Sequence, residues 1–525
     1  MDQEEIARKI KRANELAERL SGKLGAVPQA PPQQAPPPPP PLPPPPPPPP
    51  PPAFIGSSAL FALYAALLAA LYRAFNDEVR EPYMDEPFHV RQTQSYCAGN
   101  WTEWDEKITT FPGLYAATAL LVRGWAPGCE LPLLRTVNLI PALATPPLLL
   151  AQLRLLYPSL STTDALANSA VLSLLPTHFF FHFLYYTDSA ATASVLLFLV
   201  LLSQQVASAG AQSSSGGFGS SGGGGGLLLR LATGPLGVGG AAALALSIRQ
   251  TNAVWLMHGV ISASLTQLAD GRSIDPAETR LLPASGALLL ALPRKLPHLC
   301  ARHLPVLSLL SGFAAFVVRN GGVVVGDAAH HRPTLHGAQL LYLTGLASAP
   351  FCAERLTASL LPTLRGAAAA ARAAPALALG SACLAAACAR LTHCHPFLLA
   401  DNRHVTFYVW RHVLGRHWAA RYALLPAYLL GGWLLYPPLW RTHGALRALF
   451  LCCCAALVLV PTPLIEPRYL TLPVLLLRLH APPLRRPREW LPPLLLFAAV
   501  NAAAIGLFLY RPYQWVDGSV ARFMW

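Results

Sequence analysis

AFIGSSALFALYAALLAALY, residues 53–72, contains no charged residue. A run of about 20 apolar residues is long enough to cross a bilayer core of roughly 30 Å as a helix. That reading makes the chain a membrane protein, and the rest of the sequence follows it. Further apolar runs lie near 137–153, 189–203, 239–247 with 253–263, 304–318, 373–389, 445–465 and 491–510. Shorter ones near 110–122, 165–187, 335–352, 420–438 and 469–479 fill the gaps. Together they predict an all-α polytopic protein with roughly 11 to 14 transmembrane helices. Composition agrees: 53% of residues are hydrophobic and 12% charged, against roughly 25% charged in soluble domains. Pro and Gly interrupt many runs, which membrane helices tolerate where neighbours re-satisfy the backbone.

Residues 1–52 read as a cytosolic tail. A charged segment is followed by Pro36–Pro41, Leu42 and Pro43–Pro52, a stiff polyproline spacer. No cleavable signal is recognisable there, so 53–72 reads as a retained anchor. Residues 53–525 form one multi-span domain, with a flexible Ser/Gly linker at 213–225. The formal charge is +14, from 39 Lys and Arg against 25 Asp and Glu. The basic residues are dispersed at the ends of apolar runs, as at 293–298 and at Arg485, Arg486 and Arg488. This fits headgroup and cytosolic contacts rather than nucleic acid. No internal repeat supports an inverted-repeat transporter.

Residues 76–107 reverse the charge. They hold Asp77, Glu78, Glu81, Asp85, Glu86, Glu103, Asp105 and Glu106 against Arg80, Arg91 and Lys107. The positive-inside rule places this loop across the membrane from the basic N-terminal segment. It contains one Asn-x-Thr triplet, Asn100-Trp101-Thr102. Cys97 and Cys129 flank a short apolar segment, and their pairing is left open. The ten cysteines show no Cys-x-x-Cys or other metal pattern. Polar islands punctuate the apolar background at Tyr185–Asp188, Arg249–Asn252, Gly326–Asp327 with His330, His331 and Arg332, Asp401–His404 and Glu466–Tyr469. Ionisable groups in or beside membrane helices are functional candidates, although helix capping, snorkelling and local ion pairs are the plainer readings.

Carboxylates in a loop and cations at membrane edges suit sugar transfer from a lipid phosphate. Such a reaction needs a general base for the acceptor hydroxyl and cations for the departing phosphate. Pro87 fits the first turn of a helix over 87–97. Asp85 and Glu86 then stand at its N-terminal end, where the helix dipole favours the ionised carboxylate. Arg249, Arg403, His404 and Arg468 are the candidates for the phosphate, since Arg presents a fork of donors matched to it. His89, Asp105, Asp188, Asp327 and Asp401 are candidate acceptor-binding or structural polar residues. Neither a Gly-rich phosphate loop nor an Asp-x-Asp pair is present, and no metal or cofactor is expected.

Several of these blocks carry a family likeness. Tyr83-Met84-Asp85-Glu86, Phe88-His89, Tyr96-Cys97, Trp104-Asp105, Ile108-Thr109-Thr110 and Pro112-Gly113-Leu114-Tyr115 resemble the dolichyl-phosphate-glucose-dependent alpha-1,2-glucosyltransferases of asparagine-linked glycosylation. So do Leu134-Arg135 with Asn138, Tyr185–Asp188, Arg249–Asn252, Asn320–Asp327, His336 with Gln339, Leu398–Trp410, Glu466–Tyr469 and Arg522–Trp525. The resemblance implies a GT-C enzyme of the endoplasmic reticulum membrane whose luminal first loop carries short interfacial helices. It also implies transfer of the third, terminal glucose from dolichyl phosphate glucose to the diglucosylated lipid-linked oligosaccharide, with inversion. Asp85 then maps to the base of GT-C enzymes, with Glu86 its nearest rival. The alternatives are a lipid-phosphate-dependent mannosyltransferase of the same fold and a polytopic transporter.

Overall fold

The computed structural model describes residues 54–122, 124, 128–214, 224–269 and 281–525. The head, residues 1–52, and residues 215–223 of the Ser/Gly linker lie outside the described residues. The linker's flanks belong to helices Thr187–Ser214 and Gly224–Thr233.

The opening apolar stretch lies in helix Phe54–Glu78. Ala and Leu, which lose little side-chain entropy in a helix, dominate it. Leu60, Phe61, Leu63 and Leu67 are exposed along it, as a surface facing lipid rather than water requires. Among the described residues, five helices are long and apolar enough to cross a membrane. They are Ser58–Glu78, Leu131–Leu156, Thr187–Ser208, Ala284–Asn320 and Pro487–Tyr510. The pair Leu364–Ala373 and Pro375–Arg390, bent by 111°, makes a sixth if it counts as one span. The count is below the number of apolar runs because others form shorter helices, such as Gly113–Val122, Pro235–Ile248 and Ala445–Leu459. Conversely, the run near 304–318 is only part of Leu281–Asn320, a helix continuous through Pro293, Pro297 and Pro305. Gly239 lets helix Pro235–Ile248 approach it, since a Cβ there would stand 2.6 Å from the Pro305 Cβ. Small residues permit this close helix approach in membranes.

Two features set up the loop after the first helix. Beneath it Phe75, Phe180, Phe183 and Phe508 interlock, with ring centroids 4.9–6.0 Å apart. They join the ends of the first and last long helices to the segment before Thr187. Above it runs helix Glu86–Cys97. The question of Cys97 and Cys129 is resolved: their sulfurs are bonded, with Cα atoms 6.4 Å apart.

The segment around Asp327 crosses the same loop. The Asp327 N–H donates to the Glu106 carbonyl at 2.9 Å, and the Val325 N–H to that of Thr109 at 3.3 Å. Gly326 is required there, because a Cβ would stand 2.3 Å from the Glu106 carbonyl oxygen.

The C-terminal segment departs from the purely helical expectation. After helix Pro487–Tyr510, strands Tyr513–Gln514 and Val520–Ala521 form a small antiparallel hairpin. The chain then returns to the loop. The Arg522 N–H donates to the Tyr83 hydroxyl at 2.6 Å, and Met524 bridges to His404.

Candidate active site

Asp85 occupies the N-cap of helix Glu86–Cys97, yet its side chain makes no capping hydrogen bond. An Asp here ordinarily accepts from the N2 or N3 amide. Instead Glu86 ties down the turn by accepting the Tyr83 N–H at 3.0 Å. Met84 is in the left-handed region, at φ 60°. This conformation is strained for a residue with a bulky side chain and costs on the order of 1–3 kcal/mol. The kink leaves the Asp85 carboxylate free to face another part of the chain. Its partner is Arg468, with Nη2 2.9 Å from Oδ2.

Arg468 is almost enclosed. Its Nε also donates to Glu466, and its guanidinium lies 5.5 Å from the ring centroids of both Tyr186 and Tyr469. Pro467 opens a single 3₁₀ turn, Pro467–Leu470, which presents Glu466 and Arg468 on one side. The result is a cleft of about 40 Å³ lined by Met84, Asp85, Phe181, Tyr186, His404, Glu466, Pro467, Arg468, Met524 and Trp525. A water needs roughly 10–15 Å³ of such space, so the cleft holds a few waters or one small anionic group.

Charge in the cleft is strongly biased. Burial pushes the pKa of Asp85 up, but the Arg468 guanidinium, followed by His89 and His404, outweighs that and holds it below the usual carboxylate range. Asp85 is therefore ionised at neutral pH while 40% of its side chain remains open. His89 lies behind it, bonded through Nδ1 to the Tyr115 hydroxyl at 2.7 Å. Burial lowers its pKa to about 4, against the pull of Asp85, so it is neutral. A second ion pair adjoins the first. Arg249 grips Asp188 through two bonds of 2.9 and 3.4 Å. His89 feels the charges of both pairs. Asp188 lies in the first turn of helix Thr187–Ser214, where the helix dipole also favours its charge.

The cleft thus gathers Asp85, Arg468 and His404, with His89, Asp188 and Arg249 in the adjoining layer. The other expected site residues lie elsewhere. Glu86 is fully buried and faces away from the cleft. Arg135, itself fully buried, holds it through Nε at 2.9 Å and Nη2 at 2.6 Å, and the Tyr185 N–H donates to it at 2.6 Å. With both oxygens occupied, it is an internal strut rather than a second base. Arg403 adjoins His404, but its guanidinium is taken by Asp401 at 2.7 and 2.8 Å and stacks 4.3 Å from the Trp515 ring centroid. Asp105 shapes a turn, accepting the Lys107 N–H at 3.0 Å. Asp327 pairs with His330 at 2.6 Å beside the loop.

Sequence reasoning did not single out Tyr186, Phe181, Met84, Trp525 or Arg135. All but Phe181 sit in the family-like blocks, but nothing local tells an inward-facing tyrosine or arginine from a packing residue. Among the described residues no group of three or more His, Cys, Asp or Glu side chains is placed to hold a metal ion. The arrangement can take a proton at Asp85 and meet an anion at Arg468.

The profile of the DIE2/ALG10 family matches residues 79–479. The chain is similar to the Dol-P-Glc:Glc(2)Man(9)GlcNAc(2)-PP-Dol alpha-1,2-glucosyltransferase of Rattus norvegicus, with 31% identity over 492 residues, covering 87% of this chain and 95% of the relative. A Homo sapiens protein of that name is 31% identical over the same shares of both chains. That of Arabidopsis thaliana is 29% identical over 553 residues, covering 90% of this chain and all of the relative. No solved structure matches the chain.

Proposed function

Because this chain belongs to the DIE2/ALG10 family, we propose that it adds the third, terminal glucose to the diglucosylated dolichyl-diphosphate-linked oligosaccharide. The donor is dolichyl phosphate glucose, and the new bond is alpha-1,2 with inversion. The chain is a membrane glucosyltransferase; the activities for which its relatives are named support the donor and the glucosylated acceptor. They also favour glucose over mannose, a choice that the cleft's charge does not make.

The observation that carries the mechanism is Asp85, turned out of its own helix to face Arg468 across a cleft. Asp85 takes the proton from the attacking acceptor hydroxyl. Arg468 meets the phosphate, whose charge grows as the bond to the sugar carbon breaks. The phosphate displaces Asp85 from the guanidinium, so donor binding frees the base. Glu466 keeps the other edge of Arg468 fixed. His404 lines the same cleft and offers the phosphate a second donor. Arg249 and Arg403 act from behind, through Asp188 and Asp401. One base and one displacement give inversion.

The reading sets the cleft on the luminal side of the endoplasmic reticulum membrane. The Cys97–Cys129 disulfide, at the far end of the helix that Asp85 begins, supports this, since such bonds persist in oxidising compartments. The test supplies membranes containing the chain with dolichyl phosphate glucose and the diglucosylated acceptor. One alpha-linked glucose per acceptor is expected, and none from dolichyl phosphate mannose. No incorporation of glucose would sink the proposal.

A further inference from the structure

Tyr186 lines the cleft and, like Phe181 beside it, is only 1% exposed. Its ring is fixed on several sides. Phe181 lies 5.3 Å away and His89 5.5 Å away, centroid to centroid, and the Arg468 guanidinium is 5.5 Å from the ring. Its hydroxyl accepts the Asp85 N–H at 2.9 Å. A buried tyrosine hydroxyl ordinarily donates as well, yet among the described residues none accepts this proton. The same hydroxyl therefore holds the catalytic turn from behind and keeps its own donor for the cleft.

We propose that Tyr186 is a further catalytic residue, whose hydroxyl donates a hydrogen bond to a phosphoryl oxygen of the glycosyl phosphate as the sugar–oxygen bond breaks. This rests on the reading of Asp85 as base and Arg468 as phosphate partner. The acceptor oxygen bonds to the sugar carbon, its proton passes to Asp85, and the electrons of the broken bond remain on the phosphate. Tyr186 keeps its proton throughout and stabilises that charge. An anion is the fitting partner because the guanidinium that meets the phosphate lies against the same ring.

Tyr186→Phe keeps the ring and removes only the hydroxyl. Losing one donor to a developing anion costs about 100-fold in turnover, so a kcat loss of that order is expected. KM for the donor should stay within about threefold, since the interaction grows as charge develops. Inhibition by the product dolichyl phosphate should weaken roughly tenfold, as for a lost hydrogen bond to a charged group. That inhibition constant does not depend on enzyme amount, so it is readable even if the variant folds in lower yield. Wild-type turnover, or lost turnover with unchanged dolichyl phosphate inhibition, overturns the proposal; the second outcome would leave Tyr186 a brace for the Asp85 backbone. Asp85→Asn assayed alongside keeps the two readings apart, because retained turnover there removes the base itself.

Discussion

At Asp85 a carboxylate placed to cap its own helix faces Arg468 instead. Asp85→Asn keeps the shape and removes the proposed base. Turnover should fall by at least about 100-fold, with protein level and donor binding near normal; assays at saturating donor read this directly. Acid should separate chemistry from stability. Asp85 has a pKa below the usual carboxylate range, so kcat/KM in short assays should stay level from neutral pH until the medium falls below that range. His89 behaves differently, because its pKa drops from 6.5 to about 4 on folding. Between those values the unfolded chain takes up a proton that the folded chain refuses. Stability therefore declines as pH falls through that window. A melting temperature that drops between pH 6.5 and 4 while kcat/KM holds is the expected pattern, and an acid limb near neutrality would exclude Asp85 as the base.

At the scale of elements, helix Glu86–Cys97 is secured at both ends. Its start rests on the buried Glu86–Arg135 pair. Glu86→Gln leaves the Arg135 charge without its partner and should destabilise the fold by about 3–5 kcal/mol, seen as a lower melting temperature, while the protein that does fold keeps its turnover. Its end rests on the disulfide, whose two cysteines are 32 residues apart. Loop-closure entropy gives such a bond about 3–4 kcal/mol, so Cys97→Ser should loosen the loop, and faster proteolysis within it is the readout. The start of this helix was legible, since Pro87 marks it. The role of Glu86 was not. Two adjacent carboxylates look equivalent along the chain, and only the third dimension puts Arg135 under one and Arg468 opposite the other. The C-terminal hairpin was missed for a related reason: two-residue strands leave no periodic pattern to read.

For the molecule as a whole, length and hydropathy disclosed a helical membrane protein, and the polar islands disclosed which segments to watch. They did not disclose which islands meet. Arg468 and Arg403 occupy similar surroundings in sequence, each two residues after a carboxylate. Yet one guanidinium lines the cleft while the other is spent on Asp401 and Trp515. Gly326 marks another junction between distant segments. Gly326→Ala would drive a Cβ against the Glu106 carbonyl and should pry the Asp327 segment from the loop. Reduced thermal stability is expected, with turnover falling alongside it; an unchanged melting temperature would mean the two segments part without cost. The distance in sequence between Asp85 and Arg468 has a consequence for how the protein is made. Asp85 enters the membrane with the earliest helices and its ion-pair partner Arg468 with almost the last. A nascent chain therefore carries an unmatched carboxylate through most of its synthesis and becomes competent only when the late segments dock. With the roles proposed for Asp85 and Arg468, incomplete or mis-threaded copies should be inert, and activity would report that insertion has finished.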